Sequence, residues 1–483
     1  MTRRLDYRDS VLQAYPDVYT PAALEGLEIL APLNHDRREL MARRIARRLT
    51  RERGRQRIAF LDPRALIPRT GIRVQAARDG NFEGSEIPAD LKRQWIQGTG
   101  PVARPRASTE SGLRNAAYAL LSGADGWMFD GEDALGQVDT MALDNQRNLR
   151  LAIARDPRFL RVAEEVAAEM NQWAQSFFGR PIIADWRQQL DFTTKIFRAR
   201  GLHLDDRHVR EEDGTGFSAS IVDLALYVVN NHQRLRDSGA SIVLYLPKIQ
   251  TAEEAALWND LLAALEQHLG LPIGTIKAYV LVEQIEAAFQ LMEIRAALGR
   301  HFVGFNTGRW DYINSVADAM AWDPGFVNPD IEAIGMTYGY MRHYEDRMRR
   351  AVNIPDRNGR CALWQGGMEP NIPVGSEAGR RRRYAQGKGR RRARAASGSE
   401  RQVGGALEDG AHRAARVAEG RRRQPARTRV STAHLHTGGR RRAGAARAGA
   451  AHRPGRTQPD KRRPSVRQCL RAGFPGSPAT SPQ

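Results

Sequence analysis

The sequence predicts an α/β fold: a (β/α)8 TIM barrel preceded by an N-terminal helical segment and followed by a disordered basic tail. Three observations predict it. Apolar β-type runs alternate with amphipathic helical runs through the middle of the chain, eight such strand candidates precede residue 370, and several end in carboxylates. The candidates are Trp95–Val102, Gly126–Phe129, Thr194–Arg198, Ser241–Leu246, Lys277–Val282, Phe302–Phe305, Ile334–Thr337 and Cys361–Trp364. Ala252–Leu269 and Ile285–Leu298 read as helices between them. An open doubly wound sheet is the alternative for such a pattern.

Residues 1–90 carry a helical pattern around Leu24–Leu49, rich in Arg and Leu, and then a loop-like stretch over Gly71–Pro88. The barrel is expected over 91–375. After Gly379 the periodicity stops, and 380–483 form a run of Arg, Ala, Gly, Ser and Pro with Tyr384 and Phe474 as the only aromatics. Such a segment buries too little apolar surface to offset its ordering entropy, so it is expected to be disordered.

The formal charge of +20 belongs to that tail: 380–483 hold 28 Lys/Arg and 5 Asp/Glu, leaving 47 basic and 50 acidic residues before it. Only Lys388 and Lys461 are lysines among the 28. A GC-rich coding sequence read out of frame yields this composition, which points to a frameshift near residue 379. A basic arm binding phosphate backbones non-specifically is the competing reading. Cys361 and Cys469 make neither a disulfide framework nor a metal-binding spacing. With no signal core and no run of membrane-spanning length, a cytoplasmic protein without membrane partners is expected.

The chemistry concentrates in Val280-Leu-Val-Glu283 and Gly304-Phe-Asn-Thr-Gly-Arg-Trp-Asp311. In a parallel barrel, neighbouring strand ends open onto one face, so Glu283 and Asp311 are expected to converge there as hard oxygen ligands suited to Mg2+. Gly304 and Gly308 would let backbone amides approach a small anion. No Walker loop and no GxGxxG after a strand is present, which removes support for nucleotide hydrolysis and dinucleotide redox chemistry.

These residues carry a family resemblance. Ile87-Pro-Ala-Asp-Leu before Gly98-Thr-Gly-Pro, Phe129-Asp-Gly-Glu-Asp with a later Asn148-Leu-Arg, Phe197-Arg-Ala-Arg-Gly-Leu-His-Leu, Leu246-Pro-Lys-Ile, Val280-Leu-Val-Glu and Gly304-Phe-Asn-Thr-Gly-Arg-Trp-Asp-Tyr-Ile occur in this order. Over roughly Leu24 to Pro373 the chain resembles malate synthase, closest to its shorter, A-type branch. Asp130-Gly131 stands where a Phe usually precedes Glu-Asp, and Ala199 replaces a Pro.

The resemblance implies Mg2+-assisted condensation of acetyl-CoA with glyoxylate, then thioester hydrolysis to malate and CoA, as in the glyoxylate cycle. It implies Glu283 and Asp311 as metal ligands and Arg198 as the catalytic arginine beside the enolate oxygen, with Arg200 the other candidate for that role. Backbone amides around Gly308, Trp310 and Asp311 would hold the glyoxylate carboxylate. Glu132 and Asp133 would anchor a metal-bound water, hold Arg198, lie near the thioester, or form a structural salt bridge. His203 and Lys248 are given no role. A homo-oligomer is expected.

The family's general base is an aspartate of a C-terminal helical domain. Residues after 379 do not match that domain, and neither Asp409 nor Asp460 is carried over. The polypeptide as written is therefore expected to turn over poorly. The alternatives are a CoA-ester lyase of the malyl-CoA type and an inactive barrel with a nucleic-acid-binding tail.

Overall fold

The computed structural model describes residues 4–366, apart from 9, 100, 103, 133–137 and 331–332, together with 401–402. Its strands are β1 (Leu5–Tyr7), β2 (Trp95–Thr99), β3 (Gly126–Asp130), β4 (Thr194–Arg198), β5 (Asp205–Glu211), β6 (Gly216–Ser218), β7 (Ile242–Leu246), β8 (Ile276–Val282), β9 (Phe302–Thr307), β10 (Leu363–Gly366) and β11 (Arg401–Gln402).

The main sheet runs β11-β10-β9-β8-β7-β4-β3-β2, and every neighbouring pair is parallel. It curls around an interior cluster that includes Trp95, Met128, Ile196, Val243, Tyr245, Tyr279, Leu281, Val303 and Leu363. The opposite faces of the same strands, with Trp127, Phe129, Phe197, Leu244, Val280 and Phe305, pack under the surrounding helices. Strands buried on both faces read as continuous apolar runs, which is why Ile-Val-Leu-Tyr-Leu and Ile-Lys-Ala-Tyr-Val-Leu-Val stood out.

Among the described residues the sheet is an arc of the barrel, with β2 and β11 at its edges. The expected strand Ile334–Thr337 is instead a turn, with Tyr338 N–H donating to the Gly335 carbonyl. Its apolar side chain, Ile334, plugs the core under the helices rather than lining a strand. The place beside β9 belongs to β10, through Leu363↔Gly304 and Trp364↔Phe305. The expected disordered tail, 380–483, lies outside the described residues except for Arg401–Gln402.

The expected helices form as Ala252–His268 and as a 3-10 turn, Ala287–Phe289, followed by Leu291–Leu298. The N-terminal pattern divides into Pro21–Leu30 and Pro32–Arg53, the first capped by Thr20 Oγ1, which accepts from Ala23 N–H, and started by Pro21. Leu27 and Leu30 share one buried cluster with the barrel's outer face. The longer helix reaches across the barrel through Arg43–Glu253 and Arg51–Glu286 at 2.6 and 2.5 Å. A short antiparallel sheet, β1-β5-β6, had no counterpart in the sequence reading. The end of the barrel opposite the chemistry is plugged by Asp90–Leu91: Leu91 O accepts from Tyr279 Oη at 2.7 Å, and Asp90 holds Ser241. No helix of the described residues is long and apolar enough to cross a membrane.

Lys195, at the start of β4, donates from Nζ to the Leu190 carbonyl at 2.7 Å. Burial pushes its ammonium down to about 7 from 10.5, with Arg155 adding to the effect and Asp90 opposing it. The unfolded chain takes up this proton more readily, so the destabilisation is full below pH 7 and fades as pH rises towards 10.5. Lys195→Met is expected to stabilise the fold at pH 7 by about 1–2 kcal/mol and to flatten that rise. Urea unfolding at pH 7 and pH 10 checks this, and an unchanged pH slope would contradict it.

Candidate active site

Strand parity decides what points inward. Ile196 lines the barrel interior, so Arg198, two residues on, does too; Leu281 does the same for Glu283, and Met128 for Asp130. All three lie at C-terminal strand ends.

Arg198 is 2% exposed. One guanidinium nitrogen is 3.3 Å from Asp130 Oδ2, and another donates to Glu132 Oε2. Two acids thus hold one arginine in a fixed orientation. Asp130 in turn accepts from Glu132 N–H at 3.0 Å, closing the turn that carries Glu132. Asp133 lies outside the described residues.

Arg200 is not part of this group. It is buried and forked onto Asp223, at 2.7 and 2.9 Å, with Asp206 at 2.8 Å. Its backbone N–H also donates to Asp223 Oδ2, and its carbonyl accepts from Ser220 Oγ. This arginine ties the small sheet to the Ala219–Asp237 helix.

Glu283 is fully buried. Lys248 Nζ stands 3.2 Å from Glu283 Oε2 and 3.0 Å from Asp311 Oδ2, so one ammonium joins the two carboxyl groups. Burial drives the Glu283 carboxyl well above the usual range; the Arg198 and Lys248 charges oppose this, while the Asp311 bond and charge add to it. Burial also acts to raise Asp311, but the Glu283 bond and Lys248 outweigh it, so Asp311 sits below the usual range. The two carboxyls are therefore pushed in opposite directions, Glu283 up and Asp311 down, with one ammonium alongside both.

Lys248 was given no role by the sequence reading, yet it joins the two carboxylates. Its backbone is left-handed, at φ 56°, which is costly for a side-chain-bearing residue. That turn is fixed from both sides: Lys248 N–H donates to Glu283 Oε1 at 2.7 Å, and Arg44 of the Pro32–Arg53 helix donates to the Lys248 carbonyl at 2.9 Å. The only sequence signal was position, one residue after Pro247 at a strand end.

Gly308 begins the Arg309–Ala319 helix, whose first turn carries Asp311. A Cβ on Gly308 would lie 2.6 Å from Glu283 Cβ, so only glycine lets this helix start so close to β8. Its N–H is already engaged, donating to Tyr344 Oη at 2.9 Å and towards the Val282 carbonyl at 3.2 Å. Expected to help cradle an anion, this amide is instead structural; the helix's next amides remain at its N-terminus. Trp310 is 45% exposed with the Arg309 guanidinium 4.4 Å from its ring centroid, a surface stack. Tyr344, which the sequence reading missed, stacks on Tyr312 at 3.8 Å and also donates to Val282 O.

Two carboxylates gathered on one ammonium mark a place that demands positive charge, and their oxygens are the donors Mg2+ prefers. Among the described residues no third His, Cys, Asp or Glu joins them, so water and substrate oxygens would complete a shell.

Residues 194–386, from β4 through the Glu283 and Asp311 segments, match the family model described as malate synthase, TIM barrel domain. This segment carries the malate synthase barrel domain. The chain is 34% identical to malate synthase of Streptomyces clavuligerus over 362 residues, covering 74% of this chain and 59% of that one. With malate synthase A of Escherichia coli (strain K12) the figures are 31% over 361 residues, 74% and 59%. The chain thus spans about three fifths of the length of these malate synthases. A solved Haloferax volcanii malate synthase, titled a magnesium/glyoxylate complex, aligns at TM-score 0.39 and 16% identity over 70% of this chain and 76% of that chain. So loose an overlay carries nothing about function.

Proposed function

We propose that this malate synthase barrel is an acyltransferase scaffold that binds Mg2+ at Glu283 and Asp311, glyoxylate beside them and acetyl-CoA at the mouth. The observation that carries the reading is the Glu283–Lys248–Asp311 cluster opening beside the buried, acid-clamped Arg198. Bound there, Mg2+ supplies Lewis-acid polarisation of the glyoxylate aldehyde.

The chain's own residues do the rest. Glu283 and Asp311 would hold the cation through their carboxylate oxygens, Glu283 in its ionised form. Lys248, relieved of its two carboxylates, turns its ammonium to the glyoxylate carboxylate. The first-turn amides after Gly308 favour the same anion. Arg198, held by Asp130 and Glu132, presents a fixed positive charge to the enolate oxygen of acetyl-CoA, where pre-oriented charge lowers the barrier most.

The methyl proton of acetyl-CoA also needs a base. Each described carboxylate at this mouth is engaged, Asp130 and Glu132 with Arg198, and Glu283 and Asp311 with Lys248. Absence of a general base typically slows such a step by about 10²–10⁴. Binding is therefore expected to be intact while condensation is slow.

Calorimetry on the full chain separates the two. Glyoxylate is expected to bind only with MgCl2 present, and free CoA is expected to appear slowly or not at all from acetyl-CoA. Metal-independent glyoxylate binding, or none, sinks the reading. Malyl-CoA accumulating without free CoA would replace it with a lyase.

A further inference from the structure

A half-open cleft of about 620 Å3, solvent at its mouth included, lies between the Arg309–Ala319 and Gly339–Asn353 helices and the turn after β8. Its walls are mostly apolar and aromatic, Phe289, Tyr312, Tyr340 and Tyr344 among them, and Arg57, His343 and Arg347 also line it. No residue proposed above to hold Mg2+, glyoxylate or the thioester lines it.

Arg347 is the informative group. Its guanidinium stacks 4.2 Å from the Phe289 ring centroid and 5.0 Å from that of Phe60, and one nitrogen donates to Ala288 O at 3.3 Å. Among the described residues it is paired with no carboxylate, unlike Arg51, Arg57 and Arg78 around it, which bind Glu286, Asp323 and Glu293. Burial holds its guanidinium below the ordinary arginine range. A partly desolvated cation against aromatic faces, without a counter-charge, is complementary to an anion. The aromatic walls add a preference for a flat apolar body.

We propose that this cleft is a second binding site, for a small aromatic monoanion whose ring lies against the tyrosine and phenylalanine walls and whose carboxylate pairs with Arg347. The proposal is independent of the malate synthase reading. A peptide segment is a poorer occupant, because the cleft offers one unpaired cation rather than a ladder of backbone partners.

The test uses the full chain and 2-naphthoate, followed by its own fluorescence and by calorimetry. One saturable site is expected. Neutral 2-naphthalenemethanol should bind about tenfold more weakly or worse, since it keeps the ring and loses the charge-assisted bond. Arg347→Gln should weaken 2-naphthoate by a similar factor, and Arg347→Lys should restore most of it, with circular dichroism checking the fold. The neutral-ligand comparison needs no variant, so a misfolded Arg347→Gln does not rescue the idea. No binding up to about 10 mM, well outside the specific range, overturns it. Equal binding of the neutral analogue, or an unchanged Arg347→Gln, also overturns it. Displacement of the probe by acetyl-CoA overturns it as a separate site and assigns the cleft to the thioester instead.

Discussion

Glu283→Gln and Asp311→Asn are each expected to abolish measurable Mg2+-dependent glyoxylate binding while leaving the fold in place. Losing even an outer-shell partner of a metal ligand costs about 10–100-fold in affinity, so loss of one of two protein ligands should exceed about 100-fold. The fold should hold in Glu283→Gln because burial favours the neutral form of Glu283, and an amide is the nearest neutral mimic of a carboxyl. Calorimetry reads the affinity and thermal unfolding reads the fold. Near-normal Mg2+ affinity in either variant would remove these residues from the metal site.

The same pair sets a pH dependence with a defined sign. Glu283 is raised chiefly by burial, so it keeps its proton to higher pH than an ordinary carboxyl, whereas Asp311 is held below its usual range. A cation needs both groups ionised, so binding expels that proton. Mg2+ affinity should therefore rise with pH above the ordinary carboxylate range and level off once Glu283 ionises unaided. Comparing binding heats in buffers of different ionisation enthalpy should give about one proton released per Mg2+ in the native chain and none in any residual binding by Glu283→Gln.

Arg200→Met is expected to cost about 3–5 kcal/mol of stability, the largest effect of a single change outside the candidate site. The reason is what it leaves behind. Asp206 and Asp223 are both buried, and both face the Arg200 fork. Burial already lifts Asp223 above its ordinary value in spite of the arginine. Without that charge the two carboxylates repel in a dry site, and the Asp223 value rises further. A carboxylate raised in the folded state favours folding at low pH and loses that contribution as pH rises through its folded value. The variant should therefore be least stable near neutrality and partly recover on mild acidification. Urea unfolding at two pH values measures this. A cost under about 1 kcal/mol would place Arg200 among surface-like pairs. The motif register favoured Arg198 and left Arg200 as the other candidate; their partners separate the two. Arg198 faces the mouth with Asp130 and Glu132, whereas Arg200 is spent holding β5 to the following helix.

Much of the site was legible because strand ends are legible. An apolar run with a carboxylate at its end, repeated after a helix, places both carboxylates on one face of a parallel sheet whatever the packing details. That logic reached Glu283 and Asp311, and the motif register reached Arg198. It failed at Ile334–Thr337, where four residues with an apolar flank read as a strand. Nothing local distinguishes a short strand from a turn with one core-seeking side chain; only pairing does, and β9 pairs with Leu363–Gln365. Lys248 and Tyr344 escaped for a related reason. A lysine after a proline and a tyrosine inside an arginine-rich helix carry no spacing signal. They matter because a left-handed turn aims one at Glu283 and Asp311, and helix packing brings the other's hydroxyl to Gly308 N–H.

The sequence by itself determined most of the alternation of parallel strands with helices and placed two hard-oxygen side chains, Glu283 and Asp311, just past neighbouring strands. These depend on hydrophobic period and residue type, which act locally and are written in the chain. Only the tertiary structure decided which arginine is available, which amide is already engaged, and that burial raises Glu283 while Asp311 is held low. Those outcomes depend on burial and on charges brought within a few ångströms from distant parts of the chain, and local sequence does not encode such distances.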